Sequence, residues 1–100
     1  MTPDLLLAQT RRTPSGCLEW AKGRFRSGYG AVPAGGRIRR VHRLLWELMH
    51  GPLDDGLHVL HRCDNPPCIE PSHLWVGTHA DNMADRRAKG HYGSYRRAVA

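Results

Sequence analysis

The chain has 100 residues and a formal charge of +6, with 15 Lys and Arg against nine Asp and Glu. This length predicts one domain with a limited core. No apolar run approaches the roughly 20 residues of a membrane span, which argues against a membrane protein. The start resembles no secretory signal, so we expect a cytosolic (cytoplasmic) protein.

Arginine dominates the basic residues, supplying 13 of the 15. A guanidinium group presents a planar fork of donors that matches phosphate oxygens, whereas lysine offers a point charge. The bias therefore favours nucleic acid as the partner. Arginine enrichment by a GC-rich genome is the alternative explanation.

The first 16 residues are predicted to form an amino-terminal arm, in which an apolar patch at 5–7 precedes a polar turn. Residues 17–90 are predicted to be the folded domain, and residues 91–100 a basic carboxy-terminal tail. Three short strands separated by glycine-rich turns are expected at 18–21, 29–32 and 38–41. Together they predict a short antiparallel sheet near the amino terminus.

Four arginines fall within seven residues at the last of these strands: Arg37, Arg39, Arg40 and Arg43. In a strand, Arg37 and Arg39 share one face while Arg40 points to the other. This density suits a DNA backbone. For at least two of the four, a solvated surface position is the default interpretation.

An amphipathic helix follows, because apolar residues recur at helical spacing from Val41 to Met49. Gly51-Pro52 predicts its end. After a turn at 54–56, residues 57–61 alternate approximately as a strand does.

A loop rich in metal-binding residues comes next. Cys63, Cys68 and His73 are separated by four residues each, and three prolines keep the loop from forming a helix. This spacing suits one tetrahedral zinc ion, with Cys17 as the fourth ligand. Four protein ligands leave no open position, so the zinc is predicted to be structural. If Cys17 is not a ligand, water or another histidine completes the site.

Beyond the loop, a strand is predicted at 74–76 and a helix from Thr78 to about Lys89, closed by Gly90. Thr78 and Asp81 have the spacing of a capping box. The helix places its apolar residues on one side, at Ala80, Met83, Ala84 and Ala88. Its polar residues share the other side, at Asn82, Asp85, Arg86 and Lys89. That polar side is either a ligand and phosphate surface or a solvated face.

At this point the chain resembles a known family, the zinc-bound HNH and His-Cys box endonucleases of the ββα-metal, or His-Me finger, class found in phages and introns. His61, Cys63, Cys68 and His73 match its H-x-C-x4-C-x4-H motif, and Asn82 lies nine residues further on. The phage members also share a Gly-Tyr-Gly strand, here 28–30, and a His-Arg pair that opens a helix, here 42–43. The resemblance implies an α+β fold with a ββα-metal core.

The family pattern implies that His61 is the general base and Asn82 a magnesium ligand, with manganese able to replace magnesium. The residue chemistry agrees, because a neutral imidazole can take a proton from water and an amide oxygen suits a hard cation. A fourth zinc ligand or a buried polar residue are the alternatives for His61. His79 and Asp81 are alternative metal ligands.

The resemblance further implies an arginine that clamps the scissile phosphate. Strand geometry favours Arg37 or Arg39, and the His-Arg pair favours Arg43. Arg86 and Lys89 join the four clustered arginines as predicted DNA contacts.

The sequence therefore predicts a magnesium-dependent DNA endonuclease that acts on double-stranded DNA, either with low sequence specificity or as a homodimer. A zinc-stabilised DNA-binding accessory protein without turnover is the second hypothesis, and an RNA-directed nuclease is a weaker third.

Overall fold

The computed structural model describes residues 1–89, in which helices alternate with short antiparallel strand pairs. The helices are α1 (Pro3–Leu7), α2 (Val41–His50) and α3 (His79–Ala88). The strands are β1 (Thr10–Arg12), β2 (Leu18–Trp20), β3 (Ala31–Ala34), β4 (Arg37–Arg40), β5 (His58–His61) and β6 (Leu74–Gly77). A single 3-10 turn, Pro71–His73, leads into β6. The predicted tail at 91–100 and the helix stop at Gly90 lie outside the described residues.

Each strand pairs with its neighbour in the chain, giving the two-stranded sheets β1–β2, β3–β4 and β5–β6. The prediction of one amino-terminal sheet from three strands was wrong in this respect. Residues 10–12 form an additional strand that pairs with β2, with Thr10 opposite Trp20. Since β2 has this partner, β3 and β4 form a separate hairpin.

The amino-terminal segment is folded onto the rest of the molecule and does not form an arm. Leu6 is fully buried, and α1 packs against α2. Thr2 caps α1 by accepting a hydrogen bond from the Leu5 amide. The segment is held because Leu6 belongs to the apolar core, where leaving it in solvent would be unfavourable. The core residues are Leu6, Trp20, Val32, Val41, Leu44, Leu45, Val59, Ile69 and Leu74.

Helix α2 confirms the helical periodicity, with Val41, Leu44 and Leu45 directed into the core. The apolar pattern is longer than the buried stripe, because Leu48 and Met49 are exposed. Gly51 ends the helix with a φ of 96°, a conformation that glycine adopts without strain. No helix among residues 1–89 has the length and apolar character that crossing a bilayer requires.

Strands β5 and β6 and helix α3 follow one another as a β-β-α unit. His61 is paired with Leu74 at one end of the hairpin, and His58 with Gly77 at the other. Thr78 caps α3, and the predicted capping box with Asp81 is formed in full. The unit matches the order strand, loop, strand, helix that the sequence predicts.

Helix α3 turns its polar side toward the protein. Its half-buried residues are Asn82, Met83, Asp85, Arg86 and Lys89, while Ala80, Ala84 and Ala88 are exposed. Alanine removes little apolar surface from water when it is buried, so an alanine stripe does not determine which side of a helix packs. The interpretation of the polar side as a simply solvated face was therefore wrong.

Candidate functional site

Four sulfur and nitrogen ligand atoms converge at the loop between β5 and β6. Cys17, Cys63, Cys68 and His73 each offer one such atom, and these atoms all lie within 4.8 Å of one another. The Nδ1 atom of His73 is 3.7 Å from the Cys17 sulfur and 3.4 Å from the Cys68 sulfur. The structure thus brings together the four residues that the sequence predicts as zinc ligands.

The spacing of these atoms fits a tetrahedral metal site. With metal–sulfur bonds of about 2.3 Å and metal–nitrogen bonds of about 2.0 Å, neighbouring ligand atoms are separated by roughly 3.5–3.8 Å. The 3.7 Å distance to His73 falls within this range, and the 3.4 Å distance lies just below it. Three thiols and an imidazole are also the donor set that zinc prefers. The residues present therefore fit a zinc ion.

Strand β2 explains why the distant Cys17 belongs to the cluster. The Ile69 amide donates to the Leu18 carbonyl at 2.7 Å, and the Trp20 amide donates to the Pro67 carbonyl at 2.9 Å. These bonds lay β2 along residues 67–69, so that Cys17, the residue immediately before β2, lies beside Cys68. The metal-binding loop is thereby attached to both β2 and β5.

The cysteine thiols differ in how readily they ionise. Burial raises the pKa of Cys68 to about 12 and also raises the pKa of Cys63. For Cys17, burial acts in the same direction, but hydrogen bonds from Asn65 and from its cysteine neighbours outweigh it and lower the pKa to about 7. Zinc binding requires these thiols to ionise, and a bound cation would stabilise the thiolates against the effect of burial.

His61 is held by a hydrogen bond to the metal-binding loop. Its Nε2 atom lies 2.8 Å from the backbone carbonyl oxygen of Cys68. A carbonyl only accepts, so Nε2 carries the proton and Nδ1 of the neutral ring has a free lone pair. Burial lowers the pKa of His61, although the Cys68 carbonyl acts in the opposite direction. His61 is not among the four converging ligands.

Two further aromatic rings pack against His61. The ring centroid of His42 lies 4.8 Å from that of His61, and the ring of Tyr29 lies 5.0 Å from His42. Both residues belong to motifs that the chain shares with the family, but the sequence predicts no role for either. The signal that identified them was motif similarity alone, because no spacing rule brings residues 29, 42 and 61 together.

The absence of a side chain at Gly30 allows Tyr29 to reach its position in the site. A Cβ atom at position 30 would lie 2.9 Å from the Cβ and Cγ atoms of Trp20, closer than side-chain atoms approach. The backbone after Tyr29 can therefore pass the buried tryptophan only with glycine there.

Asn82 lies on the second turn of α3, on the side that faces the protein. Within residues 1–89, its amide side chain makes no hydrogen bond to another protein group, so its oxygen is available to a ligand. The alternative ligands are less suitable: His79 and Asp81 are exposed, and the Asp81 carboxylate accepts from the Thr78 amide at 2.9 Å in the capping box.

The clustered arginines divide into paired and unpaired groups. Arg39 and Arg43 both donate to the same oxygen of Glu47, and Arg43 also donates to the Leu57 carbonyl. Arg37 is exposed at the start of β4, and the guanidinium of Arg40 lies 4.9 Å above the Tyr29 ring. Neither Arg37 nor Arg40 forms an ion pair with an acidic residue of the described chain.

Lys89 ties the end of α3 to the loop after β5. Its ammonium group donates to the Arg62 carbonyl at 2.8 Å and pairs with Asp64 at 3.1 Å and Asp85 at 2.8 Å. Burial lowers the pKa of Lys89, but the hydrogen bonds to the Asp85 and Asp64 carboxylates outweigh this effect and raise it. The group predicted to contact DNA is thus engaged within the fold.

The central part of the chain matches a recognised sequence family. Residues 39–84 match the family described as HNH endonuclease. Two proteins of Escherichia phage T7 are similar: "Protein 7.7" is 40% identical over 74 residues, which is 74% of this chain and 57% of that protein. "Protein 2.8" is 37% identical over 89 residues, which is 87% of this chain and 60% of that protein. The chain thus spans about three-fifths of these relatives. No solved structure matches.

Proposed function

We propose, from the HNH endonuclease segment at residues 39–84 and the geometry around His61, that this protein is a metal-dependent endonuclease that hydrolyses DNA. The observation that carries the proposal is the hydrogen bond from His61 Nε2 to the Cys68 carbonyl. It fixes the proton on one ring nitrogen and leaves the other nitrogen basic.

His61 is the general base in this proposal. Phosphodiester hydrolysis needs a water molecule that loses a proton as it attacks phosphorus. The Nδ1 atom of a neutral imidazole accepts that proton near neutral pH. The lowered pKa of His61 supports this role, because burial keeps the resting ring neutral.

Asn82 is the proposed ligand for a catalytic magnesium ion, for which manganese can substitute. An amide oxygen is a suitable donor for this hard cation, and the half-buried side of α3 presents it toward the protein. A bound divalent cation would neutralise charge on the phosphate and on the leaving oxygen. The protein's own contribution is a single amide oxygen on the half-buried side of α3.

The Cys17, Cys63, Cys68 and His73 cluster is proposed to hold a structural zinc ion. Four protein ligands fill a tetrahedral shell, so no position is open for substrate. The cluster includes Cys68, whose carbonyl orients His61. Zinc binding would therefore support catalysis indirectly, by ordering the acceptor of the base.

Double-stranded DNA is the proposed substrate, bound through arginine. Arg39 and Arg43 share Glu47, so their charge is partly neutralised within the fold. Arg37 and Arg40 are better placed to contact phosphates. The Arg40 guanidinium lies over the Tyr29 ring, and the Tyr29 ring in turn stacks with the His61 imidazole. A clamp on the scissile phosphate is most simply assigned to Arg40. The phage relatives suggest that the enzyme acts inside an infected bacterial cell.

Cleavage of supercoiled plasmid by zinc-loaded protein tests the proposal. We expect nicking or linearisation that requires added magnesium and stops with a chelator that leaves zinc bound. His61→Ala should reduce the rate at least about 100-fold, as expected for loss of a general base. His58→Ala is the matched control, because His58 is an exposed histidine on the same strand.

Two outcomes contradict the proposal. Equal cleavage by wild type and His61→Ala, at matched zinc content, would refute the assigned base. Absence of magnesium-dependent cleavage by folded, zinc-loaded wild type would favour the DNA-binding accessory protein. Parallel assays on RNA and DNA of the same sequence distinguish the two substrates.

A further inference from the structure

The imidazole of His61 is part of a three-ring cluster with Tyr29 and His42. The centroid distances are 4.8 Å between His42 and His61, 5.0 Å between Tyr29 and His42, and 5.9 Å between Tyr29 and His61. The ring planes differ by 27°, 12° and 23° in the same order. The three rings are thus close and nearly parallel, as in offset stacking.

His42 is the buried member of the cluster, with 5% of its surface exposed. Its Nε2 atom lies 3.1 Å from the Val59 carbonyl, two residues before His61 on β5. His42 is therefore fastened to the strand that carries the base, although it belongs to α2. This bond holds the His42 ring close to the backbone of β5.

Packing alone does not account for an imidazole at this position. The Nδ1 atom of His42 is buried without a hydrogen-bond partner among the described residues. Burying an unpaired polar atom is unfavourable, and an aliphatic side chain would fill the space without that penalty. A flat ring with one donor nitrogen meets a more specific requirement, which is a planar surface attached to β5.

We infer that His42 is a positioning residue for the base: its ring face fixes the plane of the His61 imidazole, so that Nε2 stays on the Cys68 carbonyl and Nδ1 stays available. The effect of His42 on catalysis rests on the proposed function, whereas its effect on the His61 ring does not. A single hydrogen bond at Nε2 fixes one ring atom but leaves the ring plane free to tilt. A flat neighbour across the ring face removes that freedom.

Tyr29 adds support to both imidazoles, because its ring centroid lies 5.0 Å from that of His42 and 5.9 Å from that of His61. Its ring contacts both imidazoles and is itself covered by the Arg40 guanidinium at 4.9 Å. A series of contacts therefore leads from the exposed Arg40 guanidinium through Tyr29 to His61. Tyr29→Leu removes this outer support without disturbing the His42 hydrogen bond to Val59.

Two substitutions at position 42 test the inference, because they distinguish the effect of a planar ring from the effect of apolar volume. His42→Phe keeps a planar face, and His42→Leu keeps apolar volume but no ring. We expect His42→Leu to lower kcat for plasmid cleavage about 100-fold, a magnitude typical of small misplacements of a catalytic group. KM for DNA and zinc content should remain at wild-type values, and His42→Phe should retain at least about ten times the kcat of His42→Leu.

Nitrogen NMR of the histidine rings provides a readout that does not need cleavage. In zinc-loaded wild type, the His61 ring should be a single tautomer with the proton on Nε2, and that proton should exchange slowly with water. His42→Leu should mix the tautomers or accelerate the exchange, and Tyr29→Leu should do so to a smaller extent. His50→Leu, at an exposed histidine of the same helix, is the control and should leave the His61 signals unchanged.

The two readouts separate the inference from the proposed function. If wild type does not cleave DNA but the His61 tautomer depends on the ring at position 42, the positioning holds and the nuclease assignment fails. If wild type cleaves and His42→Leu preserves kcat together with a single His61 tautomer, the positioning role is refuted. Equal losses in His42→Leu and His42→Phe would also refute it, because the planar face would then be irrelevant. If His42→Leu does not fold, Tyr29→Leu and His42→Phe decide by the same two readouts.

Discussion

The Nε2 atom of His61 lies 2.8 Å from the backbone carbonyl of Cys68, so the residue proposed as base is bonded to a residue of the metal-binding cluster. This single contact links two parts of the site with different chemistry. The sulfur cluster orders the loop, and the loop carbonyl selects the tautomer of the imidazole. Perturbing the cluster should therefore alter the base even though the two do not share a ligand.

Replacement of Cys17 tests the membership of the amino-terminal segment in the cluster. Cys17→Ser should lower bound zinc from about one ion per chain to well below one, because a structural zinc site depends on all of its deprotonated ligands. Metal analysis after dialysis and thermal unfolding measure the effect. Ser27→Ala, at an exposed position, serves as control. A full equivalent of tightly bound zinc in Cys17→Ser would show that the other three residues suffice.

The charge state of His42 should make stability depend on pH. Burial, with the nearby charge of His61 as a smaller cause, lowers the pKa of His42 from its ordinary value of 6.5 to about 3. Between these values the unfolded chain binds a proton that the folded chain does not. Stability is therefore complete above pH 6.5 and falls with decreasing pH, by about 1.4 kcal/mol per pH unit from this group.

Comparison of wild type with His42→Phe isolates this effect, since the zinc ligands are the same in both proteins. From pH 6.5 to pH 5, the free energy of unfolding of His42→Phe should rise relative to wild type by about 2 kcal/mol. Urea unfolding at both pH values gives this difference. Parallel pH dependence of the two proteins would mean that His42 is not held neutral by the fold.

The arginines should differ in what they contribute. Arg40→Gln should weaken DNA binding and reduce the slope of log K against log salt by about one, as for loss of one phosphate contact. Arg39→Gln should change the slope less and lower the free energy of unfolding by up to about 1 kcal/mol, because Arg39 is paired with Glu47. Salt titrations of both variants test the difference. The assignment fails if Arg39→Gln gives the larger change in slope.

Gly30 should be intolerant of even one added methyl group. Gly30→Ala places a Cβ atom 2.9 Å from Trp20, a buried core residue, and should destabilise the protein by about 1–3 kcal/mol. Gly23→Ala is the matched control, because the nearest atom to its added Cβ is a backbone oxygen at 3.9 Å. Chemical unfolding of both variants checks the prediction, which similar stabilities would contradict.

Local sequence determined the elements whose signals lie within a few residues of one another. The apolar spacing from Val41 predicts α2, and Thr78 with Asp81 predicts the start of α3. The spacing of Cys63, Cys68 and His73 predicts three members of the cluster. These predictions succeed because helix periodicity, capping and ligand spacing are short-range properties of the chain. Cys17 was predicted on different grounds, as the one other cysteine of the chain.

Only the tertiary structure decided which elements pair and which side chains meet. The partner of β2 is a strand at 10–12 that carries no apolar alternation, so backbone hydrogen bonds and not side-chain pattern define it. Helix α3 is oriented with its alanines outward, and this orientation depends on polar contacts such as those of Lys89 with Asp64 and the Arg62 carbonyl. The contact of Tyr29, His42 and His61 joins three segments through packing, and no local pattern encodes a contact between residues so far apart in the chain.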